Sequence, residues 1–86
     1  MNEPRSIEVL LFAGASEAAD GADRVIVQSH ENTTASELMK QLADQYSALA
    51  PLAQRSRLAI DQKYVSPNHV IQPGAEVALI PPVSGG

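Results

Sequence analysis

Cysteine and tryptophan are both absent from this 86-residue chain. Without cysteine there is no disulfide, no thiolate metal site and no cysteine nucleophile. The two histidines, His30 and His69, are too few to build a zinc site alone, so no metal site and no bound cofactor are expected. Aromatic residues are scarce. Phe12, Tyr46 and Tyr64 are all of them, so a core must be assembled from Val, Ile, Leu and Ala. Cations are also short. Six Lys and Arg against ten Asp and Glu leave a net charge of −4, which argues against nucleic acid and anionic membrane surfaces as partners. No apolar run approaches the roughly 18 residues of a membrane span. Met1-Asn2-Glu3-Pro4-Arg5 lacks the basic-then-apolar order of a signal peptide. The expected location is therefore the cytoplasm. No internal repeat or low-complexity tract is present. A chain this short holds one domain, and a self-contained enzyme active site is not expected of it.

The chain has ordinary globular apolar content, 44%, and clear periodicity. Ile7 to Ala13 alternates at first and then becomes apolar on both sides, the pattern of a central strand. Residues 14–23 are small and acidic and read as a loop with at most a helical turn. Arg24 to His30 is a β-branched second strand. Thr34-Ala35-Ser36-Glu37 fits a capping box, and Ala35, Leu38, Met39, Leu42, Tyr46 and Leu49 follow at helical spacing. Met39 and Tyr46 are read as packing residues. Pro51 ends this helix or opens a short one over 51–55. Arg57 to Asp61 is a third strand, Gln62-Lys63 a turn, and Tyr64-Val65 a short partner strand. Pro73-Gly74 suits the centre of a type II turn. Glu76 to Ile80 is the last strand. The first and last long strands are the most apolar, so both should be central and adjacent. The pattern predicts an α+β roll of the β-grasp, ubiquitin-like kind: a mixed sheet of four to five strands, one main helix and a flexible C-terminal tail. Residues 1–82 form the domain and 83–86 the extended tail.

No internal motif carries chemistry. Gly14 and Gly21 lack the spacing of a phosphate loop. Asp20 and Asp23 read as a solvated turn, and no serine sits in a nucleophile elbow. The charge is uneven: residues 1–50 carry three basic and eight acidic groups, giving −5, and residues 51–86 carry three and two, giving +1.

The informative segment is Pro81-Pro82-Val83-Ser84-Gly85-Gly86. Two prolines donate no amide to a ladder and stiffen an extended path away from the body. Gly85 and Gly86 then present bare backbone ending in the α-carboxylate, which fits a channel too narrow for a Cβ. At a glycine usage of about 7%, chance puts Gly-Gly at a given pair of positions roughly 0.5% of the time, so a functional tail is the better reading. A carboxylate is a poor electrophile and must first be activated, typically as an acyl-adenylate made from ATP by a partner enzyme. An amine can then capture it as an isopeptide, or a sulfur donor as a thiocarboxylate. With no thiol in the chain, any sulfur it carries rides on Gly86.

The sequence resembles the small subunit of molybdopterin synthase, the MoaD-type sulfur carrier. The resemblance covers essentially the whole chain. It rests on Val9-Leu10-Leu11-Phe12-Ala13, on Glu17, on Leu58-Ala59-Ile60-Asp61-Gln62, and above all on Gly74-Ala75-Glu76-Val77-Ala78-Leu79-Ile80-Pro81-Pro82-Val83-Ser84-Gly85-Gly86. It implies a carrier that is not a catalyst alone but is the sulfur-donating subunit of a heterotetrameric sulfurtransferase. Gly86 would be adenylated by an E1-like enzyme, with the ATP used by that partner. A sulfur-donor system would convert it to a thiocarboxylate. The tail, Pro81 to Gly85, would then thread into the large subunit and deliver sulfur to the cyclic pyranopterin precursor in molybdenum cofactor biosynthesis. Leu79, Ile80 and Phe12 are the expected partner interface, with core packing as the alternative for Leu79. The sequence departs from the family pattern at Ser16, where an arginine is usual, at Asp61, where asparagine is usual, and at Leu79-Ile80, which replace an aromatic pair. A sulfur carrier of the thiamin thiazole type and a ubiquitin-like protein modifier remain the alternatives. An interaction domain with an inert tail is a third.

Overall fold

A computed structural model describes residues 3–12 and 14–82. Its elements are β1 (Pro4–Leu11), α1 (Gly14–Ala18), β2 (Arg24–His30), α2 (Ala35–Gln45), a 3-10 turn (Ser47–Leu49), α3 (Ala50–Ala53), β3 (Arg57–Ile60), β4 (Lys63–Tyr64) and β5 (Val77–Ile80). The five strands form one mixed sheet in the order β2-β1-β5-β3-β4. β1 and β5 are central neighbours and run parallel, with Val9 opposite Val77 and Leu11 opposite Leu79. The other pairings are antiparallel. This is the β-grasp arrangement expected from the sequence.

Alternation along the strands divides the sheet into two faces. Ile7, Val9 and Leu11 of β1, Val25 and Val27 of β2, Leu58 and Ile60 of β3, and Val77 and Leu79 of β5 are buried on one face. There they meet Ala35, Leu38 and Leu42 of α2, and Leu49 in the 3-10 turn. Burying each large aliphatic side chain contributes about 1.5–3 kcal/mol before entropy is counted. The core is therefore mostly one sheet face closed over by one helix.

α2 begins as its sequence dictates. The Glu37 amide donates to Thr34 Oγ1 at 3.2 Å, and the Thr34 amide donates to Glu37 Oε1 at 3.0 Å. The amides of Ala35 and Ser36 donate to the carbonyls of His69 and Pro67. The free donors of a helix start are thus taken by side chain and loop together. The helix stops at Gln45, because Tyr46 leaves helical geometry with φ −129° and ψ 81°. Leu49, read as a continuation of the helix, reaches the core from the 3-10 turn. Tyr46 packs, but it also tethers: its hydroxyl donates to the Ile26 carbonyl at 2.7 Å. The Gln45 side-chain amide exchanges two hydrogen bonds with the Gln28 backbone, at 2.7 and 2.8 Å.

Other boundaries also differ from the sequence reading. β1 starts at Pro4 and ends at Leu11; Phe12 lies past it, and Ala13 falls outside the described residues. Residues 14–18 close a short helix, α1, where a loop was expected. The β3–β4 turn is Asp61-Gln62, not Gln62-Lys63, with φ values of +50° and +70°. Both central residues of a type I′ turn need positive φ, because that twist matches the hairpin. β4 is consequently Lys63–Tyr64. Pro73-Gly74 does form the type II turn: Gly74 has φ +79° and the Ala75 amide donates to the Gln72 carbonyl at 3.2 Å. One anchor had no sequence signal. Arg5 donates to the carbonyls of Ile71 and Gln72 at 2.6 and 2.8 Å, tying the loop before β5 to β1.

The Thr34 amide hydrogen bond holds the Glu37 carboxyl below its ordinary carboxylate range. A lowered folded pKa gives stability that is fully present above the unfolded value and is lost as pH falls through the folded one. The melting temperature of the wild type should therefore exceed that of Glu37→Gln at neutral pH, with the gap closing as pH falls through and below the ordinary carboxylate range. A gap independent of pH in circular-dichroism melts contradicts this.

Candidate functional site

The sheet face opposite α2 carries the other half of the alternation. It presents Leu10 and Phe12 from β1 and the residue following it, Ile26 from β2, Ala59 from β3, Tyr64 from β4, and Ala78 and Ile80 from β5. Register places them together: Leu10 lies opposite Ala78, Ala59 opposite both Ala78 and Tyr64, and Arg57 opposite Ile80. Phe12, Ile26 and Tyr64 are the exposed large hydrophobics among the described residues, at 49%, 43% and 54% of full exposure. Two of the chain's three aromatic residues thus face solvent on the same side. An apolar patch gathered on one face marks an interaction surface.

The patch has a shaped centre. Phe12, Tyr64 and Ile80 wall a hollow of about 360 Å³, with Ala59 and Ala78 at its base and Gln62 and Glu76 at its rim. The two alanines create the depth, because any larger residue on the middle strands would fill it. Arg57 stacks its guanidinium over the Tyr64 ring, 4.0 Å from the centroid, and so limits that ring's motion. At the far end of the face, Arg24 and Glu8 form an exposed ion pair at 3.3 Å.

Asp61 fixes the lower end of β5. Its amide donates to the Glu76 carbonyl at 2.9 Å, and its Oδ1 accepts from the Glu76 amide at 3.0 Å. The residue that turns the β3–β4 hairpin therefore also registers the strand carrying Ala78 and Ile80. At the upper end, Arg57 opposite Ile80 is the last rung. Pro81 is half-buried and Pro82 is exposed; neither can donate to a further rung. The chain leaves the sheet beside the hollow.

Of the expected interface residues, Phe12 and Ile80 meet in this hollow. Leu79 does not: it is fully buried on the α2 face, because it is one residue out of phase with Ile80. The expectation that Leu79 touches a partner is corrected; it is core. Val83, Ser84, Gly85 and Gly86 lie outside the described residues. Sequence reading missed Tyr64, Ala59, Ala78 and Ile26 as parts of this face. The available signal was an aromatic in a two-residue strand, together with alanines at strand positions where β-branched residues are usual. His30 Nε2 lies 3.8 Å from Glu37 Oε2, and His69 is exposed in the turn before the Thr34–Val70 bridge. Among the described residues no group of three or more His, Asp and Glu is placed to hold a metal ion, and no helix is long and apolar enough to cross a membrane.

Residues 9–86 match the model of the family described as "ThiS family". The molybdopterin synthase sulfur carrier subunit of Mycobacterium tuberculosis is 35% identical over 80 residues, covering 93% of this chain and 96% of that protein. The human protein of the same name is 34% identical over 83 residues, covering 93% of each. Among solved structures, SAMP1 from Haloferax volcanii superposes with a TM-score of 0.78 at 27% identity, covering 95% of this chain and all of that one. A chain from the Helicobacter pylori complex of subunits 1 and 2 of molybdopterin-converting factor shares the fold, with a TM-score of 0.66 at 18% identity over 95% of this chain and 100% of that one.

Two comparisons test the assignment of faces. Leu79→Ala should cost about 2–5 kcal/mol in urea unfolding, whereas Phe12→Ser should cost about 1 kcal/mol or less. Asp61→Ala should cost about 1–2 kcal/mol through lost hydrogen bonding and a strained positive φ. Asp61→Asn should stay within about 0.5 kcal/mol, since asparagine keeps the acceptor and tolerates that φ. Equal losses for Ala and Asn would remove Asp61 from its registering role.

Proposed function

Because this chain belongs to the ThiS family, with relatives that are molybdopterin synthase sulfur carrier subunits, we propose that it carries sulfur on Gly86 for molybdenum cofactor biosynthesis. The observation that carries this reading is that docking surface and tail share one strand. β5 supplies Ala78 and Ile80 to the hollow and then leaves the sheet as Pro81-Pro82. A partner seated on the open face thereby receives the tail at a defined point and in a defined direction. Six extended residues from Pro81 reach at most about 20 Å, far enough to enter a neighbouring protein that excludes the body of this one.

The chemistry proceeds in balanced steps. The Gly86 carboxylate attacks the α-phosphate of ATP on an adenylating enzyme, releasing pyrophosphate and leaving an acyl-adenylate. Hydrosulfide supplied by a sulfur-donor system attacks the activated carbonyl and AMP departs, leaving a thiocarboxylate. Inside the large subunit the thiocarboxylate sulfur bonds to a carbon of the pyranopterin precursor as an oxygen substituent leaves that carbon, giving a thioester between the two. Hydrolysis of the acyl–sulfur bond returns the carboxylate. The chain's own contribution is position: glycine at both final residues lets backbone pass where a Cβ would collide. The large subunit and the adenylating enzyme supply the catalytic groups, and the cycle runs in the cytoplasm.

The structural likeness to SAMP1 at 27% identity favours a second reading, in which the activated Gly86 is captured by lysine amines and the chain acts as a protein modifier. The two readings share activation and diverge at the nucleophile.

Intact-mass measurement separates them. After incubation with the adenylating enzyme, ATP and a sulfur donor, the chain should gain the oxygen-for-sulfur mass difference at its terminus. The same chain with one residue appended after Gly86 should gain nothing. Absence of the gain in the unextended chain sinks the carrier reading, and Gly86-dependent conjugates in cell extract establish the modifier. Phe12→Glu and Ile80→Glu should each weaken binding to the large subunit by about tenfold or more, measured by calorimetry.

A further inference from the structure

A second concavity lies around the corner from the open face. It is a trough of about 860 Å³ between α2 and the β3–β4 end of the sheet. Its apolar surface comes from Met39, Ala43, Ala53, Leu58, Val65 and Pro67. Lys40, Asp44 and Arg57 line it as charged residues, and Tyr64 borders both this trough and the hollow of the open face. Small residues on the exposed flank of α2 leave the space open.

The distribution of cations gives the trough a chemistry. The chain carries −4 overall and six Lys and Arg. On the β1–β2 side, Arg5 is engaged by the carbonyls of Ile71 and Gln72, and Arg24 by Glu8. The other four, Lys40, Arg55, Arg57 and Lys63, have no carboxylate within salt-bridge distance among the described residues. Two of these four line the trough. The other two, both exposed, adjoin lining residues in sequence: Arg55 lies between Gln54 and Ser56, and Lys63 precedes Tyr64. Among the described residues Asp44 is the one carboxylate lining it. Lys40 lies near enough to Glu37 to help hold that carboxyl down, but among the described residues the cations that form no salt bridge are gathered around this apolar trough.

We infer that the trough is a second docking site, taking an acidic segment of a partner protein that bears one or two large apolar side chains. The apolar side chains enter over Met39, Ala43 and Val65, where removal from water supplies the binding energy. The flanking carboxylates meet Lys40 and Arg57, which steer the approach and fix the register. Extended nucleic acid and anionic membrane are disfavoured by the net −4 of the whole. Because Tyr64 borders both surfaces, a partner on the open face can continue into the trough without a break. The inference does not rest on the carrier reading, since it concerns a surface that contributes nothing to Gly86 chemistry.

The test uses the full chain, ¹⁵N-labelled, and three synthetic peptides of about twelve residues, a length sufficient for groove recognition. One combines glutamate with leucine and phenylalanine, one replaces its glutamates by lysines, and one replaces its apolar residues by serines. The acidic apolar peptide should shift the amide resonances of Met39, Ala43 and Val65, and its affinity should fall as salt rises. The lysine and serine versions should bind at least about tenfold more weakly, as should the acidic peptide to Lys40→Glu and to Ala43→Gln. Both substitutions lie on the α2 surface, and unchanged circular-dichroism melts verify the fold; Arg57→Gln serves where either variant melts early. Equal binding of the acidic and lysine peptides, shifts confined to the Phe12 and Ile80 side, or no binding of the acidic peptide overturns the inference. Thiocarboxylate formation on Gly86, followed separately by mass, distinguishes that failure from failure of the carrier role.

Discussion

The parallel contact between β1 and β5 is the constraint on which the molecule depends. It joins the beginning of the chain to its end, Val9 to Val77 and Leu11 to Leu79, across the middle of the sheet. Everything between has to fold so that this closure is possible. β2 covers one flank, β3 and β4 the other, and α2 lies across the seam. A parallel pair needs a long crossover, and here the crossover is most of the protein. The result places the last strand in the interior of the sheet rather than at an edge. Whatever leaves its end leaves from a rigid foundation.

The same strand divides stability from recognition by parity. Val77 and Leu79 belong to the core, Ala78 and Ile80 to the open face. A substitution on one set leaves the other nearly untouched, because a strand's neighbouring side chains point in opposite directions. Asp61 and Arg57 hold the two ends of this strand in register. The hollow is therefore shaped by fixed backbone, and its depth comes from two residues, Ala59 and Ala78, that contribute by being small.

Much of this was legible in the sequence. The capping box at Thr34, the strand at Arg24–His30 and the turn at Pro73-Gly74 follow from local rules, and each is present; the adjacency of first and last strands follows from their shared apolar character and is present too. The β-grasp class followed from these elements and from the resemblance. What the sequence does not carry has physical sources. Tyr46 packs against the core as its spacing predicts, but its hydroxyl also finds the Ile26 carbonyl, a long-range bond that periodicity does not encode. The turn at Asp61-Gln62 requires positive φ at both residues, and glutamine is not a residue that announces it. Leu79 is apolar and near the tail, which fits a partner surface and the core alike; its phase relative to Val77 and Ile80 assigns it to the core. The open face escaped notice because Tyr64 and Ile26 come together only through strand order, which no single segment contains.

The bonds from Gln45 and Tyr46 to β2 have a consequence for life at high concentration. β2 is a border strand, and its outward backbone groups at Gln28 and Ile26 would otherwise be available to a strand from another molecule. Two side chains at the end of α2 already occupy those positions in the manner of a missing strand. Edge-on stacking of copies into growing sheets is thereby blocked on that flank, while β4, at the opposite flank, spans only two residues. With one border occupied and the other short, the sheet offers other molecules little backbone to extend.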